Sequence, residues 1–189
     1  MKIDKNRNIV LIGYMGCGKS TVGRKAAKAL GLTFLDTDAL IEAEEKMPIA
    51  KLFEEKGEAY FRQRETDTIH RLLGEEKGKI IATGGGLPMR EENRELLKRL
   101  GTVIYLKAET TTLYKRLSGD SKRPLLREGD LRQKIDTMLS MRGPVYEEVA
   151  DEIFQADQMS FYEIICRIER ILGAKKNRQG EHRNEAARD

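Results

Sequence analysis

The sequence predicts an α/β fold in which a parallel sheet is covered on both faces by helices. Short apolar, β-rich runs alternate with longer helical patterns along nearly the whole chain, and the first run ends in a glycine-rich turn that opens a helix. Parallel strands need helical crossovers, so this alternation is the pattern a helix-covered parallel sheet requires. At 189 residues the chain is close to the size of one compact domain and can sustain a core without metals or disulfides.

Residues 8–12 read as a fully buried strand that ends in glycines. Residues 22–30 follow with helix-forming Ala, Lys and Arg and a stop at Gly31. A second apolar run occupies 32–35 and is followed by helical stretches at 39–46, 49–56 and 60–73. Further strands are predicted at 79–82, 102–106 and, more weakly patterned, 152–154, each followed by a helical pattern. Residues 118–130 mix Gly, Pro and charges between two helices, the composition of a mobile surface loop. Residues 173–189 are almost wholly polar, and a disordered tail is expected there.

Composition excludes several classes. With 35 basic against 31 acidic side chains and a formal charge of +4, the surface is densely charged without being one-sided. That counts against nucleic acid as the main partner despite a pI near 9.0. The longest apolar runs, such as 9–12, fall far short of the roughly 20 residues that span a bilayer. The N-terminal residues lead straight into the first strand, leaving no room for a signal peptide, so a cytoplasmic location and no membrane partner are expected. Cys17, Cys166, His70 and His182 form no ligand-like pair, so neither a disulfide framework nor a zinc site is indicated.

The strongest chemical signal is Gly13-Tyr14-Met15-Gly16-Cys17-Gly18-Lys19-Ser20, which fits G-x-x-x-x-G-K-[ST] between a buried strand and a helix. The glycines let the backbone curl until successive N–H groups point at a phosphate, and the helix N-terminus adds positive potential. Lys19 then reaches the β- and γ-phosphates and Ser20 ligates Mg²⁺, so Gly13, Gly16, Cys17, Gly18, Lys19, Ser20 and Thr21 are the candidate ATP-binding residues. Cys17 reads as a small residue that fits the loop, with a redox role as the alternative. The chain has no N-K-x-D guanine-reading motif, no length for the further domains of a large ATPase, and no apolar run ending in a Walker-B aspartate. A small kinase follows by elimination.

Asp36-Thr37-Asp38 follows the second strand, and in an open parallel sheet the carboxyl ends of neighbouring strands share one crevice. Asp36 can serve Mg²⁺ through water while Asp38 orients a hydroxyl toward the γ-phosphate; the alternative is a turn in which Asp38 caps the helix. Arg62 and Arg64 stand near a helix start, where the dipole disfavours cations, which suggests an anionic partner. Arg142 follows the Arg-containing loop, and arginine offers a planar fork that matches a carboxylate. For Arg64 a surface ion pair is the preferred reading.

These motifs, with F-R-x-x-E at 61–65, G-G-G at 84–86, R-P-L-L at 123–126 and R-x-x-x-Y at 142–146, occur in the order found in shikimate kinases. The resemblance runs over about residues 8–172. It implies a three-layer α/β/α P-loop kinase fold with a five-stranded parallel sheet in order 2-3-1-4-5, and phosphorylation of the shikimate 3-hydroxyl by MgATP. The residue roles it implies are these: Asp38 binds the acceptor hydroxyls and serves as base, with Asp36 on the Mg²⁺ side; Arg62 and Arg142 grip the acceptor carboxylate; Gly84, Gly85 and Gly86 lie against the ring; and Glu65 holds Arg62. Arg123 closes over the phosphates from a lid at 118–130, Arg116 stacks on adenine, and Phe53, Glu58 and Phe61 fall in the acceptor-covering segment at about 38–65. Catalysis is thereby expected from Asp38, Lys19 and Arg123. The organisation expected is one domain over 1–172, acting as a monomer on shikimate and ATP, followed by the tail. A loop at 155–159 departs from the family in lacking a proline, and the tail has no counterpart. The rivals are a gluconate-type or nucleoside-monophosphate kinase, a nucleotide-binding module without turnover, and a nucleic-acid binder.

Overall fold

The computed structural model describes residues 3–118 and 130–173. Nearly all of the expected lid, with Arg123 and the R-P-L-L segment, and the tail from 174 onward lie outside the described residues. The elements run β1 (Ile9–Ile12), α1 (Lys19–Leu30), β2 (Thr33–Asp36), α2 (Thr37–Glu45), α3 (Ile49–Leu73), β3 (Lys79–Ala82), α4 (Glu91–Leu100), β4 (Thr102–Lys107), α5 (Thr110–Leu117), α6 (Leu131–Val149), β5 (Glu152–Gln155) and α7 (Phe161–Gly173). A short 3₁₀ turn at Leu87–Met89 follows β3.

The five strands form one parallel sheet in the order β2-β3-β1-β4-β5, the order implied by the family resemblance. β1 lies at the centre because its four side chains, Ile9 to Ile12, are all buried, as a strand covered on both faces demands. It pairs Ile9 with Ile80 on one side and with Thr102 on the other. Burying Ile9, Val10, Leu11 and Ile12 removes about 1.5–3 kcal/mol of apolar exposure per side chain from water. The central strand therefore anchors the main core.

Three boundaries bear on the sequence reading. α1 starts at Lys19, before the helix-forming run at 22–30, because Gly18 ends the loop at a φ of 105° and the chain turns helical directly after it. The stretches read at 49–56 and 60–73 stand as two helical runs within the span α3, parted at Gly57, whose φ of 81° and ψ of 168° are non-helical. A residue with a side chain would be strained in that backbone conformation, so glycine sets the bend. Third, the cap of α2 is Asp36, whose Oδ1 accepts from Asp38 N at 3.2 Å. Asp38 thus falls in the first turn, with its own carboxylate left for other partners.

Ile41, Leu52 and Phe61, with Met47, Ile49 and Phe53 against them, make a second apolar cluster apart from the main core. It ties α2 to the first half of α3. Among the described residues, no helix is long and apolar enough to cross a membrane.

Candidate active site

The carboxyl ends of β1, β2 and β3 open onto a cleft of about 780 Å³. The phosphate loop forms its floor, with Gly16, Cys17, Gly18, Lys19, Ser20 and Thr21 lining it alongside Asp36, Asp38, Gly85 and Arg116. Lys19 Nζ donates to the carbonyls of Gly13 and Tyr14 at 2.7 and 3.0 Å, so the ammonium is folded over the loop it serves. Ser20 Oγ donates to Asp36 Oδ2 at 2.7 Å, which brings the two expected metal residues together. Arg116 donates to the Gly16 carbonyl at 3.0 Å and so braces the loop from α5. Cys17 is buried, with its sulfur 3.8 Å from Lys19 Nζ.

Next to this floor lies a pocket of charged groups. Asp38 Oδ1 is buried and, among the described residues, accepts no hydrogen bond. Burial pushes its carboxyl from 3.8 up to about 6. Asp36 and Glu42 add to the rise, and Lys19 and Arg62 oppose it. A buried acceptor without a donor is costly, so this oxygen is free to take a hydrogen bond from a donor outside the chain.

Arg62 stands on α3 with Nη1 on Glu65 Oε2 at 2.7 Å and with Nε and Nη2 on Glu58 Oε1 at 3.1 and 2.9 Å. The two acids hold it differently. Glu65 is 1% exposed, whereas Glu58 is 66% exposed; Glu65 fixes the guanidinium, and Glu58 can be displaced from it at little cost. Burial also pushes the Glu65 carboxyl up to about 7, with Arg62 and Arg142 pulling it back and Asp38 adding to it. Arg142, on α6, is thus close enough for its charge to act on Glu65, and it acts on Tyr146 of its own helix as well.

Gly84, Gly85 and Gly86 run between these groups. A methyl on Gly84 would lie 2.6 Å from Asp38 Oδ1 and 2.7 Å from Glu65 Oε1, and one on Gly86 would collide with the Arg62 guanidinium. The backbone of Gly84 thus separates two carboxylates that no larger residue would let approach. Its N–H donates to Thr37 Oγ1 at 3.0 Å, and the Gly85 carbonyl accepts from Tyr146 Oη at 2.6 Å.

Of the residues expected from sequence, Asp38, Arg62, Glu65, Arg142 and the three glycines converge here, beside the phosphate loop, Asp36 and Arg116. Phe53 and Phe61 stack at 4.8 Å between ring centroids and belong to the small α2–α3 cluster. Arg64 points elsewhere, to Glu44, Glu45 and Asp67, as an ion-pairing residue. Arg123 is outside the described residues. Thr37 and Tyr146 were not singled out from sequence as anchors of the glycine segment. Their positions inside D-T-D and R-x-x-x-Y were the available signal.

A family model for shikimate kinase matches residues 15–172. The shikimate kinase of Actinobacillus pleuropneumoniae (serotype 5b, strain L20) is 42% identical over 156 residues, covering 82% of this chain and 90% of that protein. That of Legionella pneumophila (strain Corby) is 41% identical over 172 residues, 91% of this chain and 98% of its own length. Among solved structures, shikimate kinase from Acinetobacter baumannii in complex with shikimate superposes with a TM-score of 0.82 at 38% identity, covering 89% of this chain and 93% of that one.

Proposed function

This chain belongs to the shikimate kinase family, and on that premise we propose that it transfers the γ-phosphoryl group of ATP to the 3-hydroxyl of shikimate, giving shikimate 3-phosphate and ADP in aromatic amino-acid biosynthesis. One observation carries the reading: a phosphate loop stands beside a buried, donor-less carboxylate oxygen on Asp38 and an arginine braced by two acids. The first suits a nucleotide, the second a hydroxyl, the third an acceptor's anionic group.

Phosphoryl transfer asks little covalent chemistry of a protein, so positioning and charge carry the rate. Asp38 orients the acceptor hydroxyl and takes its proton as the hydroxyl oxygen bonds to phosphorus in line with the departing ADP oxygen. Lys19 meets the β- and γ-phosphates, and Arg123, assigned from the R-P-L-L segment, adds charge from the lid. Arg62 and Arg142 grip the acceptor carboxylate, with Glu58 yielding its hold on Arg62 as the acceptor enters. Ser20 and Asp36 offer adjacent hard oxygen donors 2.7 Å apart, the type Mg²⁺ takes, and they are the residues that would hold it. When bound, the ion would supply positive charge to offset that of the phosphates.

The same reading treats residues 1–172 as one kinase domain with a polar tail at 173–189. It acts as a monomer in the cytoplasm, without nucleic-acid or membrane partners. The near balance of 35 basic and 31 acidic side chains supports this, because the basic groups with a role are gathered in one crevice for small anions. The test is a coupled ADP-release assay with shikimate, quinate and gluconate offered separately. Release only with an acceptor other than shikimate would overturn the acceptor assignment and leave the kinase class standing.

A further inference from the structure

A second cavity, of about 320 Å³, lies between the end of β4, the start of α5 and the middle of α6. It shares no lining residue with the substrate cleft. Its size is at the small end of the roughly 300–1,000 Å³ of ligand sites, which suits one small metabolite rather than a nucleotide. Helix α6 shapes its wall through Ser140, Gly143 and Pro144. A side chain on Gly143 would meet nothing within 4 Å of its Cβ. Pro144, inside the helix, has no N–H to give to the carbonyl of Ser140 one turn back. The helix thus contributes both a gap and an acceptor released from its own ladder.

The lining carries charges of both signs around an apolar body. Lys107 Nζ and Glu147 Oε1 pair at 2.8 Å, with side chains 40% and 46% exposed. An ion pair this wet contributes only about 0–1 kcal/mol, so it parts at little cost. A ligand with one charge of each sign replaces it with two pairs, a carboxylate on Lys107 and an ammonium on Glu147. Leu139, Pro144 and Tyr105 supply apolar surface beside these charges. Tyr105 is the buried member of the lining, at 2% exposed. Burial, with Cys17 and Glu147 adding to it, pushes its hydroxyl up to about 12, so the ring lies close to both the cavity's acid and the phosphate loop.

Tyr105 joins this cavity to both substrate sites. A methyl on Gly13 would lie 3.3 Å from Tyr105 Cδ2 and 3.1 Å from Cys17 Sγ, so the ring backs the first turn of the phosphate loop. It also packs on Tyr146, at 5.1 Å between centroids, and the Tyr146 hydroxyl donates to the Gly85 carbonyl. We infer that the cavity is an effector site for a small zwitterion with an apolar side chain, an α-amino acid, whose binding lowers turnover through Tyr105. The binding half stands on the cavity itself, and the regulatory half rests on the kinase reading above. A ligand seated between Tyr105 and α6 shifts the ring on which the phosphate loop and the glycine segment both lean, and so disfavours both substrates.

L-phenylalanine is the probe, titrated calorimetrically into the full chain. It should bind with a Kd of about 0.1–1 mM, the range open to so small a ligand at a half-open site. 3-Phenylpropionate, phenethylamine and L-alanine lack the ammonium, the carboxylate and the apolar body in turn, and each should bind about fivefold or more weakly. An equal Kd for any of them would overturn the ligand class. Gly143→Leu fills the gap and replaces a helical glycine, so it should fold at least as well as wild type. It should abolish binding of the probe and leave turnover in its absence within about twofold of wild type. Lys107→Met and Glu147→Gln should each weaken the probe by about five- to tenfold. Saturating L-phenylalanine should weaken ATP and shikimate, each titrated alone, by about two- to fivefold and then level off. By reciprocity either substrate should weaken the probe by the same factor and no more. ADP release at limiting substrate should fall by a similar step. Absence of binding at about 10 mM, displacement by a substrate without a plateau, or undiminished binding to the Gly143→Leu variant would overturn the inference, and binding that leaves ADP release unchanged would overturn its regulatory half. A chain that binds the probe in this pattern yet releases no ADP with any acceptor would instead overturn the proposed function and leave the site standing.

Discussion

Replacing Asp38 by Asn should separate stability from activity. The Asp38 carboxyl titrates at about 6 in the folded chain against an ordinary 3.8, because burial and the adjacent Asp36 disfavour its charge. A carboxyl whose folded value is raised holds its proton more tightly in the native state, so the associated stability is present below about pH 4 and is lost as pH rises through about 6. The rise from 3.8 to about 6 corresponds to about 3 kcal/mol at neutral pH and above. Asparagine keeps the shape without the charge. At pH 8 the variant should therefore be more stable than wild type by about 1–3 kcal/mol, a rise in Tm of roughly 3–10 °C. The gap should narrow as pH falls and close near pH 4. Urea unfolding in metal-free buffer across that range measures it, and shikimate-dependent ADP release should fall about 10²–10⁴-fold in parallel. Equal stability at pH 8 would show that Asp38 carries no desolvated charge in the native state. Turnover within tenfold of wild type would refute its role toward the acceptor hydroxyl.

Three further outcomes follow from the geometry of the pocket. Gly84→Ala should cost about 1–3 kcal/mol in thermal or urea unfolding, because the added methyl meets Asp38 and Glu65 at 2.6 and 2.7 Å, and should raise the shikimate KM while ATP binding, read by equilibrium titration, stays near wild type. Arg62→Lys should weaken shikimate binding by about tenfold or more, since an ammonium cannot keep the bond that Arg62 makes to Glu65 and at the same time present a planar fork to a carboxylate; a steady-state KM within twofold of wild type would exclude that fork from acceptor binding. Tyr146→Phe removes the donor to the Gly85 carbonyl at 2.6 Å and should lower stability by about 1–2 kcal/mol by calorimetry, with a smaller effect on kcat than on the shikimate KM.

What the sequence discloses about this molecule depends on how local the feature is. The phosphate loop is legible because its function is written in eight consecutive residues, and the helix-covered parallel sheet because strand and helix periods alternate in a fixed order. The pairing of Asp36 with Ser20 across sixteen residues is legible only through the rule that adjacent strand ends share a crevice. The capping of α2 by Asp36 rather than Asp38 turns on backbone torsions, so two acids spaced two apart gave no basis for choosing. The burial of Glu65, the donor-less oxygen of Asp38 and the tie from Tyr146 to Gly85 arise when α2, α3 and α6 are folded onto the glycine segment. No periodicity in any one stretch encodes them. Gly57 lies between: the break between the two helical patterns was readable, but the positive-φ backbone that makes it was not.

The small apolar cluster of Ile41, Leu52 and Phe61 has a consequence for how such a site changes over time. Because these three side chains pack with one another rather than with the main core, the α2–α3 side of the pocket stands on its own foundation, while Gly84 to Gly86 and Arg142 come from the side of the sheet and α6. Substitutions that reshape what the pocket accepts are absorbed there, and the strand ends that carry the phosphate loop keep their spacing. A chain built this way can trade one small hydroxylated acceptor for another by rebuilding α2 and the first turns of α3, with the phosphate-handling half inherited unchanged.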